Sequence, residues 1–192
     1  MTNTKAKIQY KTMAASDFNN VIALGNHVHG DGYLNDDNIR QWFDKGLKDN
    51  LNSNIVAYLD KTLVGFRISY SAGNWQADQW CTPSKWKSLE QQTAYFKCNT
   101  VSEECRGLGI GSQLLKLSID VLKLQGAKAG VSHLWRQSPN NSAVGYFTKC
   151  GGALVKDHPD KWHQDSVNGY QCTLCGFDCH CVAAEMIIYF NS

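Results

Sequence analysis

Apolar and polar positions alternate along the first part of the chain in a way that predicts a mixed α/β order. "KIQYKTM" reads as a strand with Ile8, Tyr10 and Thr12 on one face. "SDFNNVIALGNHVHG" then switches to the helical period, placing Phe18, Val21, Ile22 and Gly25 on one stripe with Ser16 as cap. "NDDNIRQWFDKGLKD" repeats that pattern through Ile39, Trp42, Phe43 and Leu47, capped by Asn35 or Asp36. Two strands follow, "NIVAYLD" and "TLVGFRISYSA", with Lys61 at the turn between them.

Residues 73–92 break the pattern: they have no period and hold three tryptophans, Trp75, Trp80 and Trp86. A connection of that length is usually functional or mobile. It forms either a wall over a bound acceptor or a cover for exposed sheet. "TAYFKCNTV" returns to strand. A leucine-rich helix then runs from Gly111 to Gln125 and stops at Gly126, with Leu114, Leu115, Ser118 and Leu122 on one stripe and Leu117, Ile119 and Leu124 adding apolar surface elsewhere. "GVSHLWRQS" is a strand and "NNSAVGYFTKCGG" a short helix ending in glycines; "ALVKDH" and "AEMIIYFN" are strands on either side of a cysteine cluster.

Composition narrows the class. The 192 residues suit one domain, are 43% hydrophobic and 19% charged, and carry a net charge of +2, too small to argue for nucleic acid or a membrane surface. No apolar run approaches the roughly 20 residues that span a bilayer. "MTNTKAKIQYKTM" lacks the apolar core of a secretory signal, so a cytoplasmic location is expected.

The stretch from Arg106 to Gly111, "RGLGIG", sits between a strand and a long helix, where backbone N–H groups and the helix dipole favour an anion. A Walker-type loop needs Gly-Lys-Ser/Thr, and Gly111 is followed by Ser112. A dinucleotide fingerprint needs different glycine spacing and a βαβ unit. With Val101 five residues ahead of Arg106, the segment resembles the acyl-CoA-binding signature of the GNAT superfamily of N-acetyltransferases, with Glu103 where the family usually has proline. "NNSAVGYFTKCGG" resembles the family's second motif.

The resemblance implies an α/β (α+β) GNAT fold, a mixed, mostly antiparallel central sheet flanked by helices, over one domain, residues 1–192. The 73–92 insert and a cysteine hairpin at 170–182 are additions to it. It also implies direct acetyl transfer from acetyl-CoA to a small-molecule or peptide amine. Val101, Arg106, Gly107, Leu108, Gly109, Ile110, Gly111, Ser112 and Asn140 would bind the cofactor, with a backbone N–H near Val101 polarising the thioester carbonyl. A non-catalytic acyl-CoA-binding domain is the alternative, and a homodimer stays open.

Where many members carry a catalytic tyrosine this chain has Phe147, with Tyr146 one residue earlier and roughly 100° away on a helix. The candidates for proton transfer are therefore Tyr146 as acid and His133 as base, each with a packing role as its alternative. His27 and His29 end the first helix near where relatives bind acceptors.

"CTLCGFDCHC" has the spacing C-x2-C-x3-C-x-C, and Cys172, Cys175, Cys179 and Cys181 suffice for a closed tetrahedral zinc site of structural type. An iron–sulfur cluster, packed thiols or disulfides are the alternatives. His180 either points away or replaces a sulfur, and His158 and His163 are reserve ligands.

Overall fold

A computed structural model describes residues 7–190. The expected strands and helices form: β1 (Ile8–Thr12), α1 (Phe18–His29), α2 (Asp36–Lys45), β4 (Ile55–Leu59), β5 (Thr62–Tyr70), β6 (Thr93–Val101), α3 (Ile110–Leu124), β7 (Ala129–Trp135), α4 (Ser142–Lys149), β8 (Ala153–His158) and β9 (Ala183–Tyr189). Three short elements escape the periodicity because each is below the length at which a period is visible. They are β2 (Leu47–Lys48), its partner β3 (Leu51–Asn52), and α5 (His163–Val167). Met1–Ala6 of the opening segment and Asn191 of the last strand's motif lie outside the described residues.

Seven strands make one sheet in the order β1-β4-β5-β6-β7-β9-β8. All neighbours are antiparallel except β6 and β7. β5 is central: eight of its nine residues are buried, so both of its faces are covered. Phe66, Ile68 and Tyr70 pack with Phe18, Val21, Leu34 and Ile39 of the α1–α2 layer. On the opposite face Ser69 accepts the Ser118 hydroxyl of α3 at 2.8 Å. That bond accounts for a serine in the α3 stripe, whose other members, Leu114, Leu115 and Leu122, are fully buried.

The half of the sheet that α1 and α2 do not reach is covered by the tryptophan segment. Trp86 is buried against Ala129, Val131 and Ile187, with Trp75 and Tyr95 alongside. Trp86 Nε1 and the Thr82 N–H and hydroxyl all donate to the fully buried Glu185 carboxylate at 2.7–2.8 Å. A carboxylate with so many donors stays ionised, and its pKa lies below the ordinary value despite burial.

Two local expectations are corrected, and the α2 cap falls to the first of its two candidates. Ser16 does not cap α1: it lies in a 3-10 turn, and the Asp17 carboxylate accepts the Ala14 N–H at 2.8 Å instead. Asn35, not Asp36, caps α2, accepting from the Asp37 and Asn38 N–H groups. Leu47 has left the α2 stripe for β2 and is 40% exposed, and Leu124 is 73% exposed, so α3 is buried along one stripe rather than all round.

Candidate active site

The glycine loop leads from the end of β6 into α3. A 3-10 turn at Glu103–Cys105 precedes Arg106. Gly107 and Gly109 then adopt φ +79° and +78°, the left-handed region that a side chain resists. Gly109 is the N-cap and offers no side chain, so the first-turn N–H groups of Ile110, Gly111 and Ser112 have no capping acceptor. Gly111 permits close approach of α3 to β6, since a Cβ there would come 2.9 Å from Asn99 Nδ2. Leu108 is exposed and Ile110 is buried as the anchor of the loop. Arg106 stands exposed at the loop's entrance, paired with Glu103 at 3.0 Å. Such an exposed i,i+3 pair is weak and leaves the guanidinium free to exchange partners.

The loop lies at the mouth of a gap in the sheet. β6 and β7 pair only at Thr93–Tyr95 with Ala129–Val131 and then splay. Beyond Tyr95 the β7-facing edge of β6 pairs with no strand among the described residues, the Ser132 hydroxyl of β7 donating to the Phe96 carbonyl at 2.9 Å as the last contact across it, while its other edge pairs with β5 up to Gly65–Val101. An unpaired edge of this kind is a template for an extended chain.

Two polar groups sit beneath the gap on the α3–α4 side. Arg67 of β5 is 1% exposed, and its Nη2 donates to the Tyr146 hydroxyl of α4 at 2.5 Å. Its guanidinium lies over the Phe96 ring at 5.1 Å, and its Nε has no partner among the described residues. Asn99 Oδ1, beside Gly111, is likewise buried and unpaired. Burial raises the Tyr146 pKa, and Arg67 offsets only part of that rise. The one-residue offset in α4 is therefore resolved by orientation. Phe147 turns into the core, fully buried edge-on to Phe96, while half-buried Tyr146 directs its hydroxyl beneath the gap. Asn140, at φ +55°, sits exposed in the turn before α4. Arg67 was missed from sequence; the signal was a lone arginine within the apolar run "LVGFRIS".

His133 lies on the other face of β7 and is committed at both nitrogens, Nδ1 to the Tyr95 hydroxyl at 3.0 Å and Nε2 to the Trp80 carbonyl at 2.6 Å. Burial lowers its pKa to about 4. His29 behaves alike: its Nε2 meets the Thr100 hydroxyl at 2.9 Å, and burial together with Arg106 brings its pKa down to about 4. His27 lies two residues earlier on α1.

In the cysteine hairpin the four sulfurs of Cys172, Cys175, Cys179 and Cys181 all lie within 4.8 Å of one another, and Cys175 and Cys181 are 3.5 Å apart. Ligands at about 2.3 Å on one tetrahedral ion stand roughly 3.8 Å apart, so the donor set fits zinc. The knuckle turn is formed: Cys172 and Gly176 exchange backbone hydrogen bonds at 2.9 Å, with Gly176 at φ +74°. Burial opposes ionisation of Cys172, yet the N–H groups of Cys175 and Leu174 at its sulfur hold the pKa below the ordinary thiol value. His180 points away, bonding to Asp160 at 2.7 Å and stacking on His163. His158 is engaged by Glu185 at 2.9 Å. The hairpin is tied to α1 by the Tyr170 hydroxyl, which donates to the His29 carbonyl at 3.0 Å.

Solved acetyltransferases share the fold of this chain. Ard1 from Thermoplasma volcanium superposes with a TM-score of 0.69 at 14% identity, covering 96% of this chain and 99% of that one. YncA from Salmonella typhimurium, solved with its cofactor acetyl-CoA, gives 0.69 at 15% identity over 97% and 95%. The ribosomal-protein-S18-alanine N-acetyltransferase from Escherichia coli gives 0.65 at 12% over 97% and 96%. At such identities the likeness is one of fold. No curated protein matches the chain in sequence. The Acetyltransferase (GNAT) family model matches residues 21–152, over two thirds of the chain. The chain belongs to the GNAT acetyltransferase family.

Proposed function

We propose that this protein is an N-acetyltransferase that moves the acetyl group of acetyl-CoA directly to an amine. The observation that carries this reading is the splay of β6 from β7, with the glycine loop at its mouth and the Tyr146 hydroxyl beneath it. Acetyl-CoA supplies the activated thioester. Arg106 and the N–H groups of Ile110, Gly111 and Ser112 hold its pyrophosphate, with Gly107, Leu108 and Gly109 shaping the loop. Asn140 borders the same cleft from the turn before α4, and the free edge of β6 up to Val101 takes the pantetheine arm as an added strand.

Tyr146, which its raised pKa keeps protonated, gives its proton to the departing thiolate, and the proton released by the attacking amine passes to solvent water, from which the phenol is restored. Arg67, a buried cation with no carboxylate partner among the described residues, stabilises negative charge that develops beside that hydroxyl. His133 holds the tryptophan segment against the sheet through the Trp80 carbonyl. Zinc on Cys172, Cys175, Cys179 and Cys181 closes the hairpin as a structural ion.

The test is release of free CoA from acetyl-CoA across a panel of amines, with acetyl-CoA binding measured separately. Binding with no release on any amine identifies an acyl-CoA-binding domain; absence of binding removes the reading.

A further inference from the structure

The α3–α4 side of the β6–β7 gap is filled by helices, with Leu115, Phe147 and Tyr146 packed on Phe96. An amine can therefore reach the gap only from the opposite face, and that face is unusual. Lys97 lies on it, at an irregularity in the β5–β6 pairing where Ile68 faces Cys98 and Ser69 faces Phe96. It is two residues beyond the last contact of β6 with β7. Its ammonium lies 4.2 Å from the centroid of Trp42 and makes no ion pair or hydrogen bond among the described residues.

Two more lysines stand on aromatic rings of the same face. Lys45 is 5.0 Å from the Tyr70 ring, and Tyr70 stacks on Tyr95 two residues from Lys97. Lys161 is 5.7 Å from the Trp80 ring, and its nearest carboxylate oxygen, on exposed Asp78, is 4.0 Å away. The titratable groups facing Lys97 are the adjoining Cys98 thiol, which favours its charge, Lys161 and Lys45, which repel it, and Asp165, which attracts it without contact. Desolvation, the largest effect, holds the Lys97 pKa below its ordinary value. Tyr33, edge-on to Trp42 at 5.8 Å, adds a further wall.

A half-buried cation without a counter-ion, flanked by two like charges, is unfavourable until an anion arrives. We infer that the acceptor amine also carries a carboxylate, which Lys97 receives between Trp42 and Tyr95 while Lys45 and Lys161 draw it in. This rests on the acetyl-transfer reading for its location at the gap, and it deepens that reading by naming the acceptor class. Two sources offer this chemistry: a free amino acid, and a peptide whose first residue is acidic.

The test uses the full chain loaded with CoA and measures binding by calorimetry, independent of turnover. The probes are free L-amino acids against their carboxamides, and Asp- or Glu-initiated tripeptide amides against the Asn and Gln forms. A preference for the acid of at least about tenfold is expected in one arm, and the arm that shows it names the source. Lys97→Met should reduce that preference to within about twofold while leaving acetyl-CoA binding intact; Lys97→Arg should keep it. Lys161→Met, a change at the rim, should weaken it less and serves if Lys97→Met fails to fold. Equal binding of acids and amides, no binding of any acid, or a preference indifferent to Lys97 and Lys161 overturns the inference. Acid-selective binding without CoA release would fault the transfer reading and leave standing only the carboxylate site at Lys97. CoA release without acid preference would do the reverse.

Discussion

The Arg67 guanidinium of β5 and the Tyr146 hydroxyl of α4 meet at 2.5 Å beneath the gap between β6 and β7. A phenol held there with a raised pKa is a proton donor, not a base. Tyr146→Phe removes the hydroxyl and keeps the ring. We expect kcat to fall by about 10²-fold, the low end for general acid catalysis because a thiolate is a fair leaving group. Acetyl-CoA affinity should change little. An unchanged kcat across pH 6–9 would assign Tyr146 to packing.

Arg67 separates stability from activity. Its charge is buried with one neutral partner and an unsatisfied Nε. Replacing such a cation by an apolar side chain of similar volume is often neutral or stabilising. Arg67→Met should therefore melt no lower than the parent while losing about tenfold or more in kcat. A lower melting temperature with full activity would identify Arg67 as a structural residue.

Acetyl-CoA at a hundred times its Kd should stabilise the fold by about 2.7 kcal/mol, a melting shift on the order of 5–10 °C for a chain of this size. Gly109→Asp places a carboxylate and a Cβ at φ +78° where the anion is expected, and should abolish the shift. Gly109→Ala should cost about 1 kcal/mol of stability and weaken the shift without abolishing it. A ligand shift that survives Gly109→Asp would move the phosphate site elsewhere.

How much of this was legible in the sequence depends on the range of the interaction. The α3 stripe of Leu114, Leu115, Ser118 and Leu122 was readable because a helix writes its buried face into a 3.6-residue period. The glycine loop was readable because a backbone requirement selects glycine locally. The contact of Arg67 with Tyr146 spans 79 positions and leaves no local trace. Which of Tyr146 and Phe147 faces the gap depended on the docking of α4, which one turn of sequence does not determine. The tryptophan segment was legible as an exception only; its anchor, Glu185, lies about a hundred residues away.

Acid stability should report the buried imidazoles. His29 and His133 have pKa values of about 4 in the folded chain against 6.5 when exposed. A depressed histidine pKa means that the unfolded state binds more protons between those values. Stability is then full above pH 6.5 and declines as pH falls toward 4. The depressed Glu185 carboxylate adds a further loss below its unfolded value of 4.5. Denaturant melts between pH 7 and 4 should give a slope approaching two protons, and His29→Gln or His133→Gln should each remove about one. A slope insensitive to both substitutions would place the acid lability elsewhere.

The cysteine hairpin yields a prediction that joins metal to acceptor. Four convergent sulfurs should hold about one zinc per purified chain, and Cys179→Ser should lose it, because Cys179 is buried and its N–H is fixed by Ser166 Oγ at 2.9 Å. The hairpin meets the end of α1 through Tyr170 and the His29 carbonyl, and Gln171 O lies 2.8 Å from the position a Cβ would take on Gly30. His29 in turn touches Thr100 of β6, on the face by which an amine approaches the gap. The glycine loop acts on this chain of contacts only through the charge of Arg106 on His29, without a hydrogen bond to it among the described residues. Chelation should therefore raise KM for the amine several-fold and leave acetyl-CoA affinity within about twofold. If chelation weakens both ligands equally, the ion supports the whole fold; if the purified chain holds no metal and is fully folded, the four thiols are packing residues.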